Sequence, residues 1–193
     1  MQEGLTQIRE LVHQVHPLTD AGWNKFSQGW LSFAAKRKEV ITAAGETERY
    51  LYVVLSGVQR VVYYDDDKEA TLVFTYAPSF GGVLDSLLQQ HPSRYYYEAL
   101  TPSSFLKMPW ETLDGLMKSC PDVEFLVRKG ITGAMGGLLE RLVELQCFSS
   151  EEKFRKLLQR SPHILQLVPH KYLANYLGID PTNFSKLINR VKI

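Results

Sequence analysis

The chain has 193 residues, 45% of them hydrophobic, with 22 Lys and Arg against 21 Asp and Glu. That is enough to bury a real core, points to two domains, and contains no apolar run near the ~20 residues needed to cross a bilayer. Two isolated cysteines, Cys120 and Cys147, cannot frame a disulfide scaffold or supply the four ligands of an iron–sulfur cluster. The opening Met1-Gln2-Glu3-Gly4 lacks the basic and apolar regions of a secretory signal, so a cytoplasmic location and no membrane are expected.

Gly4 to Val15 places Leu5, Ile8, Leu11, Val12 and Val15 on one face of a helix that Pro17 stops, and a short helix is predicted around Trp23 to Phe26. From Phe33 to Met108 the pattern changes to short strands and turns. Tyr50 to Leu55 is an apolar strand closed by Ser56-Gly57, Val58 to Tyr64 resumes it, and Asp65-Asp66-Asp67-Lys68 reads as a hairpin tip. Ala70, Leu72, Phe74 and Tyr76 then alternate with Glu69, Thr71, Val73 and Thr75, the period of a strand. Arg94 to Leu100 and Phe105 to Met108 complete a set dense enough to predict a barrel or jelly roll.

Pro109 opens a helix through Lys118, and Pro121-Asp122 opens a longer one to Cys147. In the long helix Ile131, Leu138 and Leu145 lie seven apart, with Val127 and Ala134 on the neighbouring seam and Arg141 interrupting. Such a stripe predicts helix pairing. Gly130, Gly133, Gly136 and Gly137 each cost about 1 kcal/mol in a helix relative to Ala. Their clustering predicts the close approach of a backbone or ligand, the alternative being a kinked helix packed on its own barrel. Ser149-Ser150-Glu151-Glu152 then caps a further helix that ends near Ser161-Pro162.

His170 to Arg190 has the pattern of a helix-turn-helix. Leu173, Leu177, Ile179, Phe184 and Leu187 fall on its buried positions, Ala174 where only a small side chain fits, and Gly178 at the turn that needs φ > 0. Asp180 can cap the second helix and Pro181 suits its first position. Phe184, Leu187, Ile188 and Val191 form its apolar face. Thr182, Asn183, Ser185, Lys186, Asn189 and Arg190 project elsewhere, as short donors and cations suited to base edges and phosphates. A plain pair of core helices is the alternative. Charge favours DNA: residues 151–193 carry eight basic and three acidic side chains, +5, against 14 basic and 18 acidic, −4, in the rest.

Barrel, long helix and helix-turn-helix, in that order, resemble the CRP/FNR superfamily of bacterial transcription regulators. The resemblance rests on Ala44-Gly45-Glu46, on Leu51 to Gly57 with its closing Ser-Gly, and on Phe80-Gly81. With a short tail after the last helix, the chain looks like the shorter members common among Bacteroidetes. The fold this implies is α+β: a cyclic-nucleotide-binding-like antiparallel jelly roll or barrel over 1–120, a dimerisation helix over 121–147, and a helix-turn-helix domain over 148–193. The resemblance further implies a homodimer on double-stranded DNA, reading half-sites about one helical turn (~34 Å) apart, with RNA polymerase a further candidate partner.

Relatives that bind cyclic nucleotides follow Phe-Gly with a Glu for the ribose hydroxyl, and carry an Arg about ten residues on for the cyclic phosphate. Here those positions are Gly82 and Ser93, and Arg94 stands one place late, which on a strand turns a side chain to the opposite face unless a bulge intervenes. A buried phosphate needs a charge-assisted partner that serine cannot supply. The candidate pocket therefore comprises Gly81, Gly82, Val83, Ser93, Arg94 and Tyr95. Cyclic AMP is not expected there, and no cofactor is assigned. Either an unidentified small-molecule effector occupies the pocket, or it is empty and the dimer is regulated another way; Tyr95, Tyr96 and Tyr97 are core and surface aromatics of a strand, or fill the vacant space.

Two rival classes remain. A cupin-like barrel enzyme needs strand-borne histidines with a carboxylate, but His13, His16, His91, His163 and His170 form no such pair. No catalytic loop motif occurs, so the chain is not expected to be an enzyme. A nucleotide-responsive interaction module would have no use for the patterned basic terminus.

Overall fold

The computed structural model describes residues 2–66 and 68–190. Met1, Asp67 of the hairpin tip and residues 191–193, including Val191 of the last apolar stripe and Lys192 of the charge count, lie outside the described residues.

Two helices lead, α1 (Gln2–Val15) and α2 (Asp20–Phe26). The first buries Ile8, Leu11 and Val12, and Thr19 caps the second by accepting from the Gly22 N–H. The strands are β1 (Leu31–Ala35), β2 (Val40–Thr42), β3 (Tyr50–Ser56), β4 (Val58–Asp65), β5 (Lys68–Tyr76) and β6 (Ser79–Gly81). After a one-and-a-half-turn helix, α3 (Leu84–Gln89), come β7 (Tyr96–Ala99) and β8 (Ser103–Pro109). They form two antiparallel sheets, ordered β1-β8-β3-β6 and β2-β7-β4-β5, packed face to face as a jelly roll.

Each face of the first sheet serves a different core, because side chains alternate along its strands. Leu51 and Val53 of β3, with Leu106 and Met108 of β8, pack outward on Ile8, Leu11 and Val12. Tyr52, Val54 and Phe105 point inward, against Val61, Tyr97 and Ala99 of the second sheet. α4 (Trp110–Ser119) and the long α5 (Pro121–Cys147) close the outer core through Leu113, Val123 and Leu126. Pro121 occupies the first turn of α5, where its missing N–H has no intrahelical partner to lose.

β5 departs from its sequence pattern in an informative way. A bulge sets Val61 opposite Val73 but Val62 opposite Thr71, leaving Leu72 between the two pairs. Leu72 and Val73 consequently both join the jelly-roll core, while Phe74 and Tyr76 pack on the C-terminal helices. The apolar face of the alternation thus serves a partner element rather than the sheet's own interior.

That partner is a third core. α6 (Ser150–Arg160) starts with a full capping box, in which Ser149 and Glu152 satisfy one another's backbone N–H. α7 (Ile164–Leu167), α8 (His170–Leu177) and α9 (Pro181–Arg190) follow. Phe154, Leu157 and Ile164 pack with all six residues assigned from sequence to the helix-turn-helix interior: Leu173, Ala174, Leu177, Ile179, Phe184 and Leu187. Gly178 turns between α8 and α9 at φ 61°, in the left-handed region, and Asp180 Oδ1 accepts from the N–H groups of Thr182 (2.9 Å) and Asn183 (3.2 Å).

Candidate nucleic-acid interface and effector pocket

On α9 the anchored side and the free side separate cleanly. Phe184 and Leu187 are buried and Ile188 is half-buried, whereas Thr182, Asn183, Ser185, Lys186, Asn189 and Arg190 are all exposed. The Phe184 ring meets Phe154 edge-on at 5.4 Å, so α6 braces the helix from behind. The Ser185 hydroxyl bonds back to the Pro181 carbonyl at 3.0 Å. This leaves a convex rod carrying two cations and four uncharged polar groups, with a fixed axis and a solvent-facing donor array. Such a rod has the width and chemistry to enter a major groove.

The candidate effector residues fall in two short runs, Gly81-Gly82-Val83 and Ser93-Arg94-Tyr95, with Val83 buried in the jelly-roll core and Tyr95 packed against the same cluster. Gly81 ends β6, and Gly82 just after it takes φ +108°, which only glycine adopts freely. A side chain at Gly81 would run into the Tyr97 hydroxyl. A Cβ at Gly82 would stand 3.4 Å from a Glu48 carboxylate oxygen, so an acidic residue there would meet a like charge. Ser93 is buried and committed to its own turn, its hydroxyl bonding both the N–H (2.9 Å) and the carbonyl (2.8 Å) of Tyr95. Arg94 is exposed and Tyr95 half-buried.

Glu48 was not singled out by the sequence, yet it organises this corner. Its carboxylate accepts from the Thr42 hydroxyl (2.7 Å) and from the N–H groups of Arg49 (2.9 Å), Tyr50 (3.1 Å) and Val83 (3.3 Å). Its own N–H donates to Ser86 of α3 at 2.9 Å. Glu48 therefore ties β2, β3 and the β6–α3 corner together through its side chain, and α3 through its backbone N–H. Tyr97 fills the space behind, fully buried, with its hydroxyl 3.0 Å from Thr75 and its ring 5.8 Å from that of Tyr52. Burial holds the Tyr52 and Tyr97 phenols well above their ordinary range, so both stay neutral.

Burial also raises the Glu48 carboxyl above the usual carboxylate range, against the four hydrogen bonds that favour its ionised form. A folded-state pKa above the unfolded one means the folded protein holds the proton more tightly. The associated stability is present in acid and is lost as pH rises through the raised value. Glu48→Gln is expected to flatten that decline. Urea-unfolding midpoints of wild type and variant, followed from below the ordinary carboxylate range to neutrality, check it, and parallel curves would contradict it.

Two cavities, of about 420 and 240 Å³, lie instead at the seam between jelly roll and C-terminal helices. The smaller is bordered by Arg37, Lys38 and Lys171 beside Tyr64 and Tyr172. At the same seam Arg60 is sunk to 2% exposure, bonded to Glu98 (2.6 Å), Glu69 (3.0 Å), Tyr64 (2.7 Å) and Thr71 (3.0 Å), with Tyr172 stacked at 4.1 Å. Burial alone would lower its pKa, but the bond to and charge of Glu98, with Glu69, more than compensate and raise it. The Asn175 amide completes the edge of β5, accepting from the Thr71 N–H and donating to the Glu69 carbonyl, each at 2.6 Å.

Among the described residues the outer core covers only the first half of the long helix. Val123 and Leu126 are buried in the outer core and Val127 packs partly against it. Beyond, Ile131, Ala134, Leu138 and Leu145 are exposed, and so are Met135 and Leu142, which complete a 4-3-4-3 stripe with Ile131, Leu138 and Leu145. Arg141 lies on the flank of this stripe, turned onto Tyr176 and buried. Around Gly130, Gly133, Gly136 and Gly137 no atom of the described residues lies within 4 Å of where a Cβ would stand, so the described part of the barrel does not approach them.

Residues 33–120 match the family described as Cyclic nucleotide-binding domain. The chain is 25% identical over 167 residues to the fumarate and nitrate reduction regulatory protein of Salmonella typhi, and 22% identical over 167 residues to that of Yersinia pestis. Each alignment covers 80% of this chain and 66% of the relative, so the chain spans just under two thirds of the length of these proteins. Among solved structures, FixK2 from Bradyrhizobium japonicum superposes with a TM-score of 0.75 at 16% identity, covering 83% of both chains. The c-di-GMP responsive global regulator CLP of Xanthomonas campestris gives 0.68 at 13%, over 89% of this chain and 91% of CLP.

Proposed function

We propose that this chain is a member of the CRP/FNR superfamily, a dimeric, cytoplasmic transcription regulator whose α9 reads DNA and whose jelly roll does not take cyclic AMP. One observation carries the DNA reading: α9 keeps its apolar side on Phe154 and turns Thr182, Asn183, Ser185, Lys186, Asn189 and Arg190 to solvent. Lys186 is assigned a guanine edge or the adjacent phosphate, and Asn189 a base edge or sugar-phosphate contact. The uncovered half of α5 supports pairing with a second copy along Ile131, Leu138 and Leu145, with Met135 and Leu142 extending the seam. RNA polymerase is the further partner such a regulator would meet.

The pocket reading rests on Glu48, Tyr97 and Arg94. Glu48 stands against the corner where a ribose-binding glutamate would enter, Tyr97 fills the interior behind it, and Arg94 faces solvent. A small-molecule effector of other chemistry would find space at the seam, where Arg37, Lys38 and Lys171 border a cavity together with the Arg60–Glu69–Glu98 cluster.

A mobility shift on a pool of random duplexes, with recovery of the bound sequences, tests the DNA reading. An enriched two-fold-symmetric sequence is expected, and no retarded species at low salt would end the proposal. Lys186→Ala is expected to cost roughly 1–3 kcal/mol of binding if it reads a base. Unchanged affinity and unchanged preference on the selected sequence would reject that role. Calorimetry with cyclic AMP is expected to show no heat of binding to wild type.

A further inference from the structure

α8 is wedged between two other parts of the chain, and one of its side chains touches both. The Tyr176 ring lies 5.0 Å from that of Phe74 on β5 and has the Arg141 guanidinium of α5 3.2 Å from its centroid. Arg141 also donates to the Tyr176 carbonyl. Its other terminal nitrogen, Nη1, is buried and finds no partner among the described residues. Burial lowers the Arg141 pKa, as expected of a guanidinium taken out of water with its hydrogen bonding incomplete. A charge held this way makes a poor stabiliser but a specific contact, since few other arrangements of α5 and α8 would satisfy it as well.

Neighbouring contacts join the same two elements and tie α6 to both of them. Leu145 of α5 reaches the Gly178 turn, with its Cδ2 3.7 Å from where a Cβ would stand. Glu144 of α5 is buried and bonds Arg160 of α6, one oxygen at 2.8 Å. Lys153 donates to the Leu177 carbonyl at 3.4 Å. The last turns of α5 and the first half of the helix-turn-helix thus form one joint, and Tyr176 extends it to the sensor sheet.

We infer that Arg141 and Tyr176 are positioning residues that fix the angle of α9 to the axis of α5, and so set which half-site spacing the dimer accepts. This rests on the dimeric DNA-binding reading above. Neither residue is assigned a DNA contact. They act by holding α8, to which α9 is joined through the Gly178 turn and the shared core of Leu173, Leu177, Phe184 and Leu187. One base pair more or less between half-sites moves them by about 3.4 Å and rotates one relative to the other, so a rigid joint discriminates and a slack one does not.

The test is selection from duplex libraries in which the spacer between half-sites varies, with binding to a single half-site measured alongside. Arg141→Met keeps the volume and removes the charge, an exchange that commonly leaves a fold intact. Tyr176→Leu removes the ring, and Tyr176→Phe keeps every contact named here. Wild type and Tyr176→Phe are expected to favour one spacing over its neighbours by about tenfold or more, a typical coupling between sites. In Arg141→Met and Tyr176→Leu that ratio is expected to fall below about threefold, with the half-site sequence unchanged and single half-site affinity within about twofold. Retained spacing preference in Arg141→Met would overturn the inference. A parallel loss of half-site affinity, or failure of Arg141→Met to fold, would make the residue merely structural and overturn it too. If Tyr176→Leu alone does not fold, Arg141→Met decides. A wild type that enriches no sequence at all would remove the DNA reading, and this inference with it.

Discussion

Arg60→Ala is expected to lower stability by about 3–5 kcal/mol, the usual cost of removing one partner from a buried ionic cluster. The guanidinium lies at the centre of a five-sided site, and its loss leaves Glu98 and Glu69 facing one another across a cavity beneath Tyr172. The Thr71 and Tyr64 hydroxyls lose their shared donor at the same time. Lysine should rescue little, because an ammonium cannot reach four acceptors lying in different directions or stack flat on a tyrosine ring. For a chain of this size each kcal/mol shifts the melting temperature by roughly 2–4 °C, so a fall of about 6–20 °C is expected. Amide exchange should accelerate first in α8 and at the edge of β5, where Asn175 closes the strand. A variant within about 1 kcal/mol of wild type, with α8 still protected, would show that the seam does not depend on this cluster.

Leu138→Asp should have the largest effect on function. Leu138 is 53% exposed at the middle of the α5 stripe, with Met135 and Leu142 a turn to either side. In a two-fold dimer each substitution counts twice. Burying a leucine is worth about 1.5–3 kcal/mol, so a loss of roughly 3–6 kcal/mol is expected, on the order of 10²–10⁴-fold in the dimer dissociation constant. The monomer fold should survive, because the outer core takes its α5 contacts from Val123 and Leu126, more than three turns upstream. DNA affinity should drop with dimerisation, since two linked half-site contacts bind far more tightly than one. Sedimentation and mobility shift on the same preparations check this. Wild type sedimenting as a monomer, or Leu138→Asp still sedimenting as a dimer, would refute the α5 pairing.

The parts of the fold written in short-range chemistry were legible from sequence. α5 and α8–α9 start and stop where proline, glycine and capping residues place them, and the helix-turn-helix interior follows from helical period alone. Strands β3, β4 and β5 were equally plain, because alternation and the Ser56-Gly57 turn are local. The short α3 and α7 left no trace, since six and four residues are too few to establish a period.

What sequence could not supply was pairing across distance. Arg60 and Tyr172, Thr71 and Asn175, and Arg141 and Tyr176 are separated by 35 residues or more, and nothing local marks one as the partner of the other. Glu48 carries no local signal for the same reason: a glutamate near a strand start has the pattern of a solvated side chain, and Val83, which donates to it, lies 35 residues away. The bulge at Leu72 reassigned a whole face of β5, and only the pairing register reveals it. On α5 the seven-residue spacing marks Ile131, Leu138 and Leu145, with Val127 and Ala134 alongside, whereas the exposed large side chains also include Met135 and Leu142. Arg141 interrupts the stripe in sequence only; in space it has turned aside to hold α8.

The most direct test of α9 as the DNA-reading element is to cut DNA from it. A cysteine at Lys186, in a chain carrying Cys147→Ser because Cys147 is exposed while Cys120 is buried, can be loaded with an iron chelate that cleaves nearby sugars. Two clusters of strand breaks are expected, centred on half-sites about one helical turn (~34 Å) apart. Breaks scattered without register, or protection of the DNA with none, would mean that another surface of the protein meets the duplex.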